Sequence, residues 1–180
     1  MLAYNPYELL DTVPSFALRS DDLDANQPLA LAQYGAAAGG GDLSPHLRWS
    51  DFPEQTRSFA VTCFDPDAPT GAGYWHWAVF NLPLDVTELA AGAGSPDSDL
   101  LPEGAITLPN DARVPAFAGA GPPEGTGVHR YIFAVHAVDV PTLDIDPTLT
   151  PTVLGFNLHF HTLGRALLTG LGEFGGAQHR

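Results

Sequence analysis

The sequence predicts a single mainly-β domain, and three observations lead there. Glycine and proline number 19 and 17 among 180 residues, which favours many turns over a helix bundle. Three stretches rich in β-branched and aromatic residues each run up against a turn signal. Only one stretch, near the end, carries helical spacing. A chain of 180 residues fits one ordinary domain that buries roughly two-thirds of the surface exposed by its unfolded form. No repeat or linker divides it, so 1–180 reads as one domain with an N-terminal arm over 1–14 and a flexible tail over 171–180.

The arm leads into a short strand at Phe16-Ala17-Leu18. Residues 35–41 (GAAAGGG) are too small to supply core. From Leu43 to Trp49 the chain closes a turn and opens another extended piece. The first strong strand, 57–64 (RSFAVTCF), ends at Asp65-Pro66, because a residue before proline is biased away from helix and a proline cannot donate to a ladder. The second is Trp75 to Phe80, stopped by Asn81-Leu82-Pro83. Residues 84–127 carry repeated glycine and proline and read as loop, with a short strand at 105–108.

The third strong strand runs from Val128 to Val138. Alternation sets His129, Tyr131, Phe133 and Val135 on one face and Arg130, Ile132 and Ala134 on the other. Both faces are largely apolar, which predicts a central strand covered on both sides. The helix is expected to start at Thr150 as cap with Pro151 in first position. Val153, Phe156, Phe160, Leu163 and Leu167 form its apolar stripe, and Gly170 stops it.

Charge and composition exclude several functions. A formal charge of −14 disfavours nucleic acid, whose phosphates need clustered cations, and equally an anionic bilayer surface. No apolar run of about 18 residues exists to span a membrane. The first six residues show neither a basic start nor an apolar leader. The single Cys63 rules out an internal disulfide, reads as a buried strand residue, and suits a cytoplasmic location.

Familiar catalytic signatures are absent: there is no G-x-S-x-G elbow, Walker loop, H-E-x-x-H or cysteine pair. No catalytic residue, cofactor or metal set is therefore assigned. Three polar clusters carry what chemistry there is. In Asp65-Pro66-Asp67-Ala68-Pro69, prolines on either side hold two carboxylates stiffly. In Trp75-His76-Trp77, a histidine on a buried strand must satisfy both ring nitrogens. In 119–131 (GAGPPEGTGVHRY), glycines can turn successive backbone N–H groups toward one point as an anion nest, with His129 and Tyr131 reaching the same point. His136 falls on the opposite face and reads as structural; His159 and His161 point apart and do not pair for a metal.

Together these clusters resemble the phosphatidylethanolamine-binding protein family, in its bacterial and archaeal, Raf-kinase-inhibitor-like branch. Ser44-Pro45 with Trp49, and Leu154-Gly155-Phe156-Asn157-Leu158-His159, add to the likeness, which runs from about residue 15 to about residue 170. The resemblance implies two packed antiparallel sheets with a few peripheral helices. It also implies an anion pocket of Asp65, His76, Gly121, His129 and Tyr131, with Asp67 and Pro122 adjacent and Tyr74 or Trp75 as an aromatic wall. Animal members add a C-terminal helix bearing a pocket tyrosine; here the chain closes on Gly175-Gly176-Ala177-Gln178-His179-Arg180, and that lid is expected to be missing.

A small anionic ligand is thus expected: a phosphate monoester, a carboxylate or a headgroup-like compound. Asp65 must either share a proton with it or orient a histidine. The family implies regulation or inhibition of a partner such as a kinase or protease, and pairing as a homodimer. The alternative is a hydrolase acting on a phosphoester or ester through the same Asp and His residues.

Overall fold

Strands form where the chain offers apolar side chains to both faces. The computed structural model describes residues 4–175. Its larger sheet is built on β4 (Ser58–Asp65), all eight residues of which are buried, and on β5 (Tyr74–Pro83) and β8 (His129–Val138) at its sides. The full order is β2 (Gln27–Pro28), β9 (Thr162–Gly172), β8, β4, β5, β7 (Ile106–Thr107); the pairs are antiparallel except β2 with β9. The smaller sheet orders β1 (Ala17–Arg19), β3 (Leu47–Ser50) and β6 (Glu88–Leu89).

The two sheets enclose one core, with Trp49 of β3 meeting Phe59 of β4 edge-on at 5.3 Å and Trp77, Phe133 and Val135 packed beside them. A second core lies on the outer face of the large sheet. There Ala60, Ala78, Phe80 and Val138 are covered by Leu154 and Leu158 of helix α1 (Pro151–His161) and by Leu143 and Ile145. The central position of β8 between β4 and β9, buried on both faces, follows from its two apolar faces.

The helix is shorter than expected. It ends at His161, and residues 162–172, read from the sequence as helix and tail, form β9, which pairs with β8 from Val138 back to His129. The expected stripe also misses: Leu154 and Leu158 face the core, while Phe156 and Phe160 are 68% and 61% exposed. The reason lies in β9 itself. Its inward positions are Gly164, Ala166, Leu168, Gly170 and Gly172, so the period of two is hidden by small residues. A Cβ at Gly170 would meet Leu29 at 2.4 Å, so glycine there marks close packing and not a helix stop. Thr150 precedes the helix, with Pro151 first as expected, but its side chain makes no capping bond.

β5 also runs past its expected stop. Asn81 takes a positive φ of 58° inside the strand, and its side chain brackets Leu143 by accepting from that residue's N–H (2.8 Å) and donating to its carbonyl (3.2 Å). The tail predicted from 171 is strand through Gly172; residues 176–180 lie outside the described residues, as do 1–3.

Candidate anion-binding site

The site forms where β4, β5 and β8 end together beside the 118–123 loop. Asp65 closes β4, Tyr74 opens β5 opposite it, and His129 opens β8. β5 carries one extra residue against β4 at the Cys63–Phe64 step, a bulge that re-aims the side chains after it. Trp77 pairs with Cys63 in the inter-sheet core, and Trp75 pairs with Phe64 on the far face. Tyr74 and His76 are left on the near face, their rings 4.8 Å apart. The aromatic wall is therefore Tyr74; Trp75, the other candidate, turns away from the cavity, because the bulge places it on the opposite side of the sheet.

Asp65, His76, Gly121, Pro122, His129 and Tyr131 surround a cavity of about 360 Å³, completed by Ala68, Pro69, Tyr74 and Pro123. Asp65, His76, His129 and Tyr131 are all buried. Both carboxylate oxygens of Asp65 are engaged: Oδ1 accepts from the Asp67 N–H (2.8 Å), and Oδ2 accepts from His129 Nδ1 (2.7 Å). Of the two roles open to Asp65, orienting a histidine is the one its geometry serves.

His129 Nε2 lies 2.8 Å from the Thr126 hydroxyl, which itself sits 2.7 Å from the Pro123 carbonyl. A hydroxyl has one proton. When Thr126 gives it to Pro123, the hydroxyl oxygen is left to accept from the ring. Thr126 did not stand out in the sequence; its flanking Gly125 and Gly127, both with φ of 81°, are the signal that this turn is built to fold the hydroxyl back.

His76 differs in kind. Its Nδ1 donates to the Ala118 carbonyl at 2.7 Å, fixing the tautomer, and Nε2 has no protein partner among the described residues. Burial depresses its pKa below the ordinary imidazole value, against the opposing effects of the Ala118 bond and of Asp65. Burial likewise raises the Tyr131 phenol, assisted by Asp65, so Tyr131 keeps its proton and can donate it.

Two expectations are corrected by the local bonding. Asp67 does not line the cavity: Oδ2 accepts from Arg130 N (2.9 Å) and Nε (2.8 Å), and Oδ1 from an Arg130 terminal nitrogen (2.9 Å). Burial alone would raise this carboxyl, but the Arg130 fork overcomes it and holds the pKa below the ordinary value. Nor is the glycine-rich loop an open nest. Ala118 N–H donates to His76 O, Gly119 N–H to Asp42 and Ala120 N–H to Gln33 O. Pro122 and Pro123 have no N–H, so Gly121 alone offers one between 118 and 123, and it sits at the Tyr131 hydroxyl. The donations from Gly119 and Ala120 fasten the loop to 33–42, where a Cβ at Gly119 would meet Gly35 N at 2.4 Å, and that from Ala118 ties it to β5.

Among the described residues, no group of three or more His, Cys, Asp or Glu side chains is arranged to hold a metal ion, and no helix is long and apolar enough to cross a membrane. Cys63 is buried and unpaired.

Comparison with known proteins agrees with this architecture. The family model for phosphatidylethanolamine-binding protein matches residues 15–173. YbhB of Escherichia coli is 46% identical over 137 residues, covering 76% of this chain and 85% of YbhB. YbcL of the same organism is 39% identical over 157 residues, 86% of each chain. The crystal structure of YbcL, described as a new member of the mammalian PEBP family, superposes with a TM-score of 0.85 at 38% identity over 88% of this chain and 98% of that one. CT736 of Chlamydia trachomatis superposes at 0.74 with 28% identity, over 88% and 97% of the two chains. On this combined likeness of sequence and fold, the chain belongs to the phosphatidylethanolamine-binding protein family.

Proposed function

We propose that the protein binds a small anion, either a phosphate monoester, a carboxylate or a headgroup-like compound, in the cavity between Asp65 and Tyr131, as a regulatory or inhibitory module without chemistry of its own. The observation that carries this reading is the division of labour around the cavity. The Asp65 charge is answered by two donors from its own chain, while His76 Nε2 and the Tyr131 hydroxyl border the cavity without a comparable lock. With His76 neutral, the pair offers one acceptor and one donor, which matches a singly protonated phosphate monoester. With His76 protonated it offers a cation and a second donor, so anions bind more tightly as pH falls.

The test is thermal unfolding over a concentration series of phosphate, phosphoethanolamine and acetate, for the wild type and His76→Ala. A ligand at about 100 times its dissociation constant adds roughly 2.7 kcal/mol of stability, a shift of several degrees. A shift in the wild type that is lost in the variant supports the reading; no shift with any anion overturns it. Regulation would act on a partner such as a kinase or protease, and pairing as a homodimer belongs to the same reading; sedimentation at micromolar concentration tests the second.

One arrangement favours the alternative of a hydrolase. Asp65, His129 and the Thr126 hydroxyl stand in the order carboxylate, imidazole, hydroxyl, at 2.7 and 2.8 Å. Against it, the hydroxyl lies 2.7 Å from the Pro123 carbonyl and Thr126 is not among the cavity residues. Ester or phosphoester turnover that disappears in Thr126→Ala would decide for the hydrolase.

A further inference from the structure

We infer that the protein carries a second ligand site, behind the first on the outer face of the large sheet, that takes a small carboxylate with an apolar body. A cavity of about 220 Å³ lies there between the sheet, α1 and the N-terminal arm, lined by Arg165, His136, Thr62 and the paired Asp11 and His159 on its polar side and by Trp75 and Leu158 on its apolar side. The inference is independent of the anion pocket, which shares none of these residues.

Arg165 carries the argument. Its Nε is fully buried and has no hydrogen-bond partner among the described residues. Its one hydrogen bond there reaches the Asp11 carbonyl at 3.5 Å, the limit of such a contact, and no carboxylate lies within ion-pair distance. Asp11 itself turns its carboxylate to His159 Nδ1, at 2.7 Å. A buried guanidinium N–H left unanswered is unfavourable, and a guanidinium stays charged in any protein setting. The guanidinium lies over the Tyr7 ring, 5.7 Å from its centroid, and borders the cavity without a carboxylate paired to it among the described residues.

The rest of the lining sets the ligand class. His136, also buried, meets Thr162 through Nδ1 at 3.3 Å and is held neutral by burial, so it adds no second positive charge. One cation calls for a monoanion, and the planar fork of arginine matches a carboxylate. The size calls for more than the carboxylate: an apolar cavity of about 150 Å³ admits benzene, and inorganic phosphate would leave the Trp75 and Leu158 walls uncovered. An aromatic or short branched aliphatic acid fills both parts.

The full chain, labelled with ¹⁵N, is titrated with benzoate and with benzamide, its neutral match, while the Arg165 Nε–H and Trp75 indole N–H resonances are followed. Benzoate is expected to move both to saturation, with benzamide binding at least tenfold more weakly. Gly155 of α1 lines the cavity, and a Cβ there meets nothing within 4 Å, so Gly155→Leu adds bulk at the site with no backbone clash at its Cβ. That variant is expected to keep the remaining spectrum and lose the benzoate response. The inference is overturned by a silent titration, by equal affinity for benzamide, by a response confined to the His76 and Tyr131 region, or by a benzoate response that survives Gly155→Leu.

Discussion

His136 makes stability depend on pH in a way that can be worked out beforehand. It lies near the end of β8, paired with Ala60 of β4 on one side and Arg165 of β9 on the other, and is 4% exposed. Burial pushes its pKa down to about 3, with the Arg165 charge adding to the effect. The ordinary value in the unfolded chain is about 6.5. Below that pH the unfolded form takes up a proton that the folded form refuses, so stability is intact above about pH 6.5 and falls as the solution is acidified, levelling off only below the folded value. At 1.36 kcal/mol per unit, the loss from this one residue is about 2 kcal/mol at pH 5 and approaches about 5 kcal/mol below pH 3. The assay is urea unfolding of the wild type and His136→Gln at pH 7.5 and pH 5.0. The wild type should lose about 2 kcal/mol more than the variant between the two conditions, whatever the variant's baseline stability. Equal losses would refute the reasoning, as would an imidazole titration midpoint for His136 above pH 5 in the native protein.

Other predictions concern packing and fixed charge. Leu154→Ala, in the core beneath α1, is expected to cost about 2–5 kcal/mol in chemical denaturation, whereas Phe156→Ala, two residues on, should change stability by less than about 0.5 kcal/mol. Gly119→Ala forces a Cβ against the Tyr34–Gly35 backbone, and thermal unfolding should show a loss of more than about 1 kcal/mol together with a weaker anion response. Asp67→Asn removes the charge from a partly exposed fork, a loss of about 1 kcal/mol by urea unfolding at pH 7. Because the folded pKa of Asp67 is lowered, that contribution is present above the ordinary carboxylate range and disappears as pH falls through the folded value, so the wild-type advantage over Asp67→Asn should shrink on acidification.

The strands that carry the site were legible because their residues announce both period and ends. β4 stops at Asp65-Pro66, and β8 shows two apolar faces with His129 and Tyr131 two apart on one of them. What stayed hidden depends on partners distant in sequence. Gly170 of β9 looks like a helix stop until Leu29 and Leu23 are seen against it. The choice between Tyr74 and Trp75 turns on a bulge that exists only because β5 is paired with β4. The Asp67–Arg130 fork joins residues 63 positions apart, although alternation does put Arg130 on the face away from His129. The Gly-rich loop showed its flexibility in sequence but not that Asp42 and Gln33 engage its N–H groups.

Whether the cavity between Asp65 and Tyr131 is an anion site governed by His76 is decided by calorimetric titration of acetate and phosphoethanolamine at pH 8, 7 and 6. Acetate keeps its charge over this range, so any change in its affinity belongs to the protein. Affinity should rise with falling pH, by at most tenfold per unit, with the rise continuing below pH 6.5 because burial lowers the free His76 pKa; in His76→Ala the profile should be flat. Wild-type affinity that is independent of pH, or binding that His76→Ala leaves unchanged, would contradict it.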